Sequence, residues 1–116
     1  MDAPSLRVTP KNYLMAWLLV MLEGGNLHGY EIAKHLRDRF AFTVDAGAVY
    51  RALRRLEREG LIASWWSPHA EGPTRRLYAL TPDGHEALAR WSAVLADYRH
   101  SLDAFFELYE AAPKRR

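Results

Sequence analysis

The chain has no cysteine. That rules out disulfides, thiolate nucleophiles and cysteine zinc sites, and it fits a reducing compartment. Long hydrophobic runs are also missing: the best, Leu14 to Leu22, is too short to span a bilayer. No positively charged segment followed by a small-residue cleavage site precedes it. A cytoplasmic protein without a membrane partner is expected. There is no glycine-rich phosphate loop, paired-histidine metal motif or nucleophile elbow, and the carboxylates sit mostly among arginines at solvent positions. No catalytic residue, metal or cofactor is expected, so the chain does not read as an enzyme. Net charge is low as well, at +2.

What is present is ordinary in amount and uneven in placement. A length of 116 residues allows one domain with a modest core, and 49% apolar with 26% charged residues is typical of a soluble globular chain. Residues 1–80 carry 11 Lys and Arg against 8 Asp and Glu, whereas residues 81–112 carry 2 against 6; Lys114, Arg115 and Arg116 follow. A long acidic segment is poor material for touching phosphate, so a nucleic-acid surface belongs before residue 81 or in the C-terminal tail.

Three helical patterns come first. Thr9 and Pro10 form an N-cap and first-turn pair for a helix from Lys11 to about Glu23, with a broad apolar face of Leu14, Trp17, Leu18, Met21 and Leu22. Gly24 and Gly25 stop it. A second helix begins near His28 with the stripe Ile32, Ala33, Leu36 and Phe40. The third, within Thr43 to Ile62, has Asp45 as N-cap and Gly60 as terminator. Val49, Leu53 and Leu56, with Ala52 beside them, follow the spacing of a buried stripe, and Arg51, Arg54, Arg55 and Arg58 fall on the other faces. Arg55 and Arg58 are expected to pair with nearby acids such as Glu59.

After Gly60 the period shifts toward two. Leu61 to Ser67 and Arg75 to Leu80 read as strands around turn chemistry that includes Gly72 and Pro73. One of Trp65 and Trp66 should face the core and the other the surface. Thr81, Pro82 and Asp83 then give three agreeing start signals for a helix that nothing breaks until about Ala112, roughly 45 Å of rod. Leu88, Trp91, Leu95, Tyr98, Leu102, Phe105 and Tyr109 recur at alternating intervals of 3 and 4, a heptad seam that calls for a second copy. Trp17, on the broad first helix, is expected to join it. The fold class expected is mainly α with a small β-hairpin: a winged helix-turn-helix over residues 9–80 and a dimerisation helix over 81–112, with residues 1–8 and 113–116 as flexible tails.

Three stretches together resemble the PadR family of bacterial transcriptional regulators: LHGYEI at Leu27 to Ile32, GAVYRALRRLEREGLI at Gly47 to Ile62, and EGPTRRLYALTPDG at Glu71 to Gly84. The resemblance covers about residues 12–90, and the single helix after the wing is similar to the subfamily with one C-terminal dimerisation helix. It implies a winged-helix homodimer that binds pseudo-palindromic double-stranded operator DNA, usually as a repressor, and is released by a small molecule or stress signal. Two departures stand out. Gly47-Ala48-Val49-Tyr50 occupies a place where Gly-Thr-Leu-Tyr is usual, which removes a hydroxyl; Arg76-Leu77-Tyr78 occupies one where two adjacent aromatics are common.

For DNA contact the expected residues are Lys34, Gly47, Tyr50, Arg51 and Arg54 around the third helix and Thr74, Arg75 and Arg76 in the wing. Arginine offers a bidentate fork to guanine or phosphate, and Gly47 allows close backbone approach. Tyr50 has two even readings, a hydroxyl donor to DNA or a ring packed between helices. His28 and Tyr30 are read as structural at the start of the second helix. Trp91, Leu95 and Tyr98 also have two readings: packing in the dimer, which is preferred, and a seat for a flat hydrophobic or aromatic effector. Asp97, His100 and Asp103 are read as a solvated flank rather than a metal site. A winged helix used only for protein contacts, without DNA binding, is the competing functional class, because the net charge is modest.

Overall fold

The computed structural model describes residues 12–38, 45–68 and 75–113. Thr9 and Pro10, Phe40, the wing tip with Gly72 and Pro73, the wing residue Thr74 and the 114–116 tail lie outside the described residues. The order is α1 (Tyr13–Glu23), β1 (Leu27–His28), α2 (Gly29–Asp38), α3 (Ala46–Arg58), β2 (Ile62–Ser67), β3 (Arg75–Leu80) and α4 (Pro82–Ala111). This is a winged helix followed by a long C-terminal helix.

α1 begins later than its capping pattern predicts. Asn12 takes a left-handed conformation with φ 62°, which the helix cannot run through, and its carbonyl accepts the Met15 amide at 3.0 Å. Both flanks of α1 are used: Met15, Ala16, Leu18, Leu19 and Leu22 are all buried. They meet Ile32 and Leu36 of α2 and Val49, Leu53 and Leu56 of α3 in one core, to which the sheet adds Ile62 and Tyr78. The stripe expected on α3 is therefore the one that is buried.

α3 ends in a Schellman motif. The Leu61 amide donates to the Leu56 carbonyl and the Gly60 amide to Glu57, each at 3.0 Å, and Gly60 sits at φ 76° where a side chain would be strained. The sheet has the order β1-β3-β2. Its hairpin register pairs Ile62 with Leu80, Ser64 with Tyr78 and Trp66 with Arg76. β1 was not anticipated; it pairs Leu27 with Tyr78 and His28 with Leu77, and two residues are too few to show a period.

The expectation for the tryptophans fails. Trp65 is 44% and Trp66 62% exposed, so neither enters the core. Ile62 is the last buried residue of β2, and Ser64 and Ser67 beyond it are half-buried.

Thr81 joins three elements. Its amide donates to the Leu61 carbonyl at 3.2 Å, its hydroxyl donates to the Gly60 carbonyl at 2.7 Å, and the same oxygen caps α4 by accepting the Gly84 amide at 3.0 Å. His85 adds a contact to α1, with Nδ1 2.7 Å from a Glu23 carboxylate oxygen. From there α4 runs past α1, half-burying Leu88, Trp91 and Leu95. Every described residue after Leu95 is exposed, including Phe105 at 57% and Tyr109 at 70%.

Gly84 is buried because α4 starts directly against the end of α3: a β-carbon there would fall inside the envelope of the Leu61 carbonyl oxygen and crowd a Leu80 methyl. Gly84→Ala is expected to cost about 1–3 kcal/mol by forcing α4 off that carbonyl. Urea unfolding of the variant checks this, and an unchanged midpoint would show that the junction can open freely.

Candidate nucleic-acid interface

The start of α3 is held by Asp45, whose carboxylate accepts the Ala48 amide at 2.7 Å. The capping role read from sequence is the role seen. Gly47 is exposed in the first turn, and a β-carbon on it would lie 3.1 Å from both Asp45 Oδ1 and an Arg51 guanidinium nitrogen. The Arg51 side chain thus lies back along the opening turn of the helix. Arg51, Arg54 and Arg58 are exposed on the side away from Val49, Leu53 and Leu56. Arg55 pairs with Glu59 at 3.0 Å, as the i,i+4 spacing predicts, and reaches Asn12 at 3.4 Å.

At the N-terminus of α2, the Glu31 carboxylate accepts the His28 amide at 2.8 Å and lies 2.9 Å from His28 Nδ1. The amide, opposed by partial burial, holds the Glu31 carboxyl below its ordinary value of 4.5. Its stabilisation is therefore complete above the ordinary glutamate range and is lost only as pH falls through the lowered value. The His28 and Tyr30 rings stack with centroids 6.2 Å apart, and Tyr30 is exposed. Lys34 is exposed on the following turn.

Tyr50 packs against the core and the start of α2. A β-carbon at Gly29 would lie 2.8 Å from its ring, so the phenol covers the start of α2. Tyr50 also helps line a shallow recess of about 190 Å³ with His28, Tyr30, Arg75, Arg76 and Tyr78. Burial pushes the Tyr78 hydroxyl above its ordinary value of 10.0, against the opposing pull of Arg76, so it stays protonated at neutral pH.

The structure thus brings the basic third helix and the wing arginines onto adjoining surfaces. Arg54, Glu57, Arg58, Arg76 and Tyr78 line a wider recess of about 600 Å³ between α3 and the hairpin. The two wing arginines are not equivalent. Arg75 lies over the Tyr30 ring at 4.6 Å. Arg76 donates to Ser64 at 2.9 Å, stands 3.7 Å from a Glu57 carboxylate oxygen and lies 5.3 Å from the Trp66 ring centroid. Sequence reasoning missed Glu57, because a carboxylate in an arginine-rich helix reads as solvent-facing.

The sequence profile of the transcriptional regulator PadR-like family matches residues 18–90, more than half of the chain. The protein belongs to the PadR-like family. This family comprises transcriptional regulators rather than enzymes. Among solved structures, this PadR-like chain is similar to a PadR family transcription regulator from Clostridium difficile, with 30% identity and a TM-score of 0.75 over 82% of this chain and 99% of that one. It is also similar to a transcriptional regulator from Clostridium thermocellum, at 26% identity and TM-score 0.72 over 82% and 91% of the two chains. Bacillus subtilis PadR, solved in complex with operator DNA, matches at 25% identity and TM-score 0.65 over 72% of this chain and 48% of that one, so this chain spans about half of its length. A relative from Lysinibacillus sphaericus is 23% identical over 99 residues, 84% of this chain and 91% of its own.

A third recess is lined largely by apolar residues. It holds about 350 Å³ between α1 and α4 and is lined by Tyr13, Ala16, Trp17, Val20, Leu88, Trp91, Ser92, Leu95, Ala96 and Arg99. Trp91 and Leu95 of the expected effector seat line it; Tyr98, a turn further along α4, does not. Asp97, His100 and Asp103 are exposed, and among the described residues no cluster of three or more metal-type ligands forms. No described helix is long and apolar enough to cross a membrane.

The Asp45 cap gives a direct test. Asp45→Ala should lower stability by about 1 kcal/mol, while Asp45→Asn, an equally good cap, should stay within a few tenths of the parent. Denaturant unfolding of the two variants separates capping from a need for charge at that position.

Proposed function

We propose that this PadR-like protein is a cytoplasmic homodimeric repressor that binds double-stranded operator DNA. In this reading residues 9–80 are the DNA-binding domain and 81–112 the dimerisation helix. One observation carries it: α3 buries Val49, Leu53 and Leu56 and turns Arg51, Arg54 and Arg58 to solvent beside the wing. α3 enters the major groove, where Arg51 and Arg54 reach base edges or phosphate, with Lys34 and Gly47 on the flanking backbone. Arg75, and Thr74 next to it, meet phosphate from the wing. The operator complex of Bacillus subtilis PadR supports this assignment by similarity of fold.

Two copies are needed to read a pseudo-palindrome, with half-sites about 34 Å apart. The ridge of Leu102, Phe105 and Tyr109 on α4 supports pairing, because exposed apolar surface on this scale is costly for a monomer. Trp17, Leu88, Trp91, Leu95 and Tyr98 continue it toward α1. The apolar cleft between α1 and α4 falls within the range of small-ligand sites, and a flat hydrophobic or aromatic effector there would bias the angle between the two copies.

Arg51→Ala combined with Arg54→Ala should leave the dimer intact, weaken binding to promoter DNA and lower the slope of log affinity against log salt by about 1–2. Electrophoretic or fluorescence titration across salt concentrations measures this; unchanged binding removes both residues from the interface. Leu102→Glu, at a position exposed in the single chain, should yield folded monomers at micromolar concentration. A stable dimer of that variant in sedimentation would dismiss the ridge as the contact.

A further inference from the structure

A carboxylate on the DNA-facing side of a recognition helix needs a physical reason, since it repels phosphate. Glu57 is half-buried at the hairpin edge of that side, lining one recess with Arg54 and Arg58, and its partners lie in the wing. The Ser64 hydroxyl donates to Glu57 Oε1 and accepts from Arg76 Nε at 2.9 Å, and Arg76 Nη2 stands 3.7 Å from Glu57 Oε2. The guanidinium carbon also lies over the Trp66 ring, 5.3 Å from its centroid.

We propose that Glu57 is a positioning residue: through Ser64 and Arg76 it locks the wing to α3, so that Arg75 meets DNA at a set distance and angle from Arg51 and Arg54. This rests on the DNA-binding reading above and adds to it. Three elements are joined, α3 by Glu57, β2 by Ser64 and Trp66, and β3 by Arg76. The joint lies toward the hairpin turn from Ile62, the buried anchor of β2. The Glu57 and Arg76 side chains are 37% and 39% exposed, so the link is no part of the core and its loss spares the fold. An exposed ion pair alone would hold the wing weakly. The bridging hydroxyl and the indole restrict both side chains and make the link directional. Arg76 is thereby committed within the protein, and Arg75 is the wing cation that serves phosphate.

The test uses the full chain as wild type, Glu57→Gln, Glu57→Asp and Ser64→Ala, each checked for an unchanged thermal unfolding transition. The probes are a duplex enriched by the wild type from a randomised library and a scrambled duplex of the same length and composition. Glu57→Gln should bind the scrambled duplex more tightly, having lost a negative charge, yet show a ratio of enriched to scrambled affinity reduced about three- to tenfold. Glu57→Asp keeps the charge and shortens the reach, so its ratio should fall with scrambled binding unchanged; Ser64→Ala should behave as Glu57→Asp. Without DNA, all three should speed amide exchange in the outer part of β2 and β3. If every ratio equals that of the wild type and the exchange rates stay put, Glu57 is a surface charge only and the proposal is wrong. If the wild type enriches no duplex, the DNA-binding reading itself fails and this role falls with it, whereas enrichment by the wild type with unaltered variants defeats only the lock.

Discussion

The structure depends on the junction at Thr81. One residue accepts from Gly84 to start α4 and donates to the Gly60 and Leu61 carbonyls where α3 turns into β2. The helix that carries the arginines and the helix that carries the exposed ridge are therefore referenced to the same few backbone atoms. Gly84, with no room for a side chain, keeps that reference short. The two tasks proposed for the molecule are mechanically linked here as well as through the core, to which α4 contributes Ala87.

The surface chemistry is divided along the same line. Before the junction the exposed charges of α3 and the wing are mostly cationic; after it the long helix is acidic and apolar. Such a division keeps the rod from competing for phosphate and leaves the basic face for it. It also explains how a chain with a net charge of only +2 presents a local cationic patch.

Much of this architecture is legible in the sequence because its signals are local. Asp45 and Gly60 bracket α3, the Thr81-Pro82 pair starts α4, and the 3.6-residue stripe of Val49, Leu53 and Leu56 marks the core side. What the sequence hid is what depends on contacts between elements. β1 is two residues long and exists only because β3 offers an edge. Alternation predicted one buried tryptophan in β2, but a strand face is buried only where something covers it, and none of the core reaches that far. Glu57 and Arg76 are 19 positions apart, and nothing in their spacing announces the hydroxyl that bridges them.

The geometry of α4 has a mechanical corollary. A rod of about 45 Å, gripped over its first turns and bare beyond Leu95, is a lever. A tilt of about 5° at its base sweeps the far tip through about 4 Å, roughly the width of one side chain. A slight rotation at the fulcrum is therefore a large displacement at the exposed distal end.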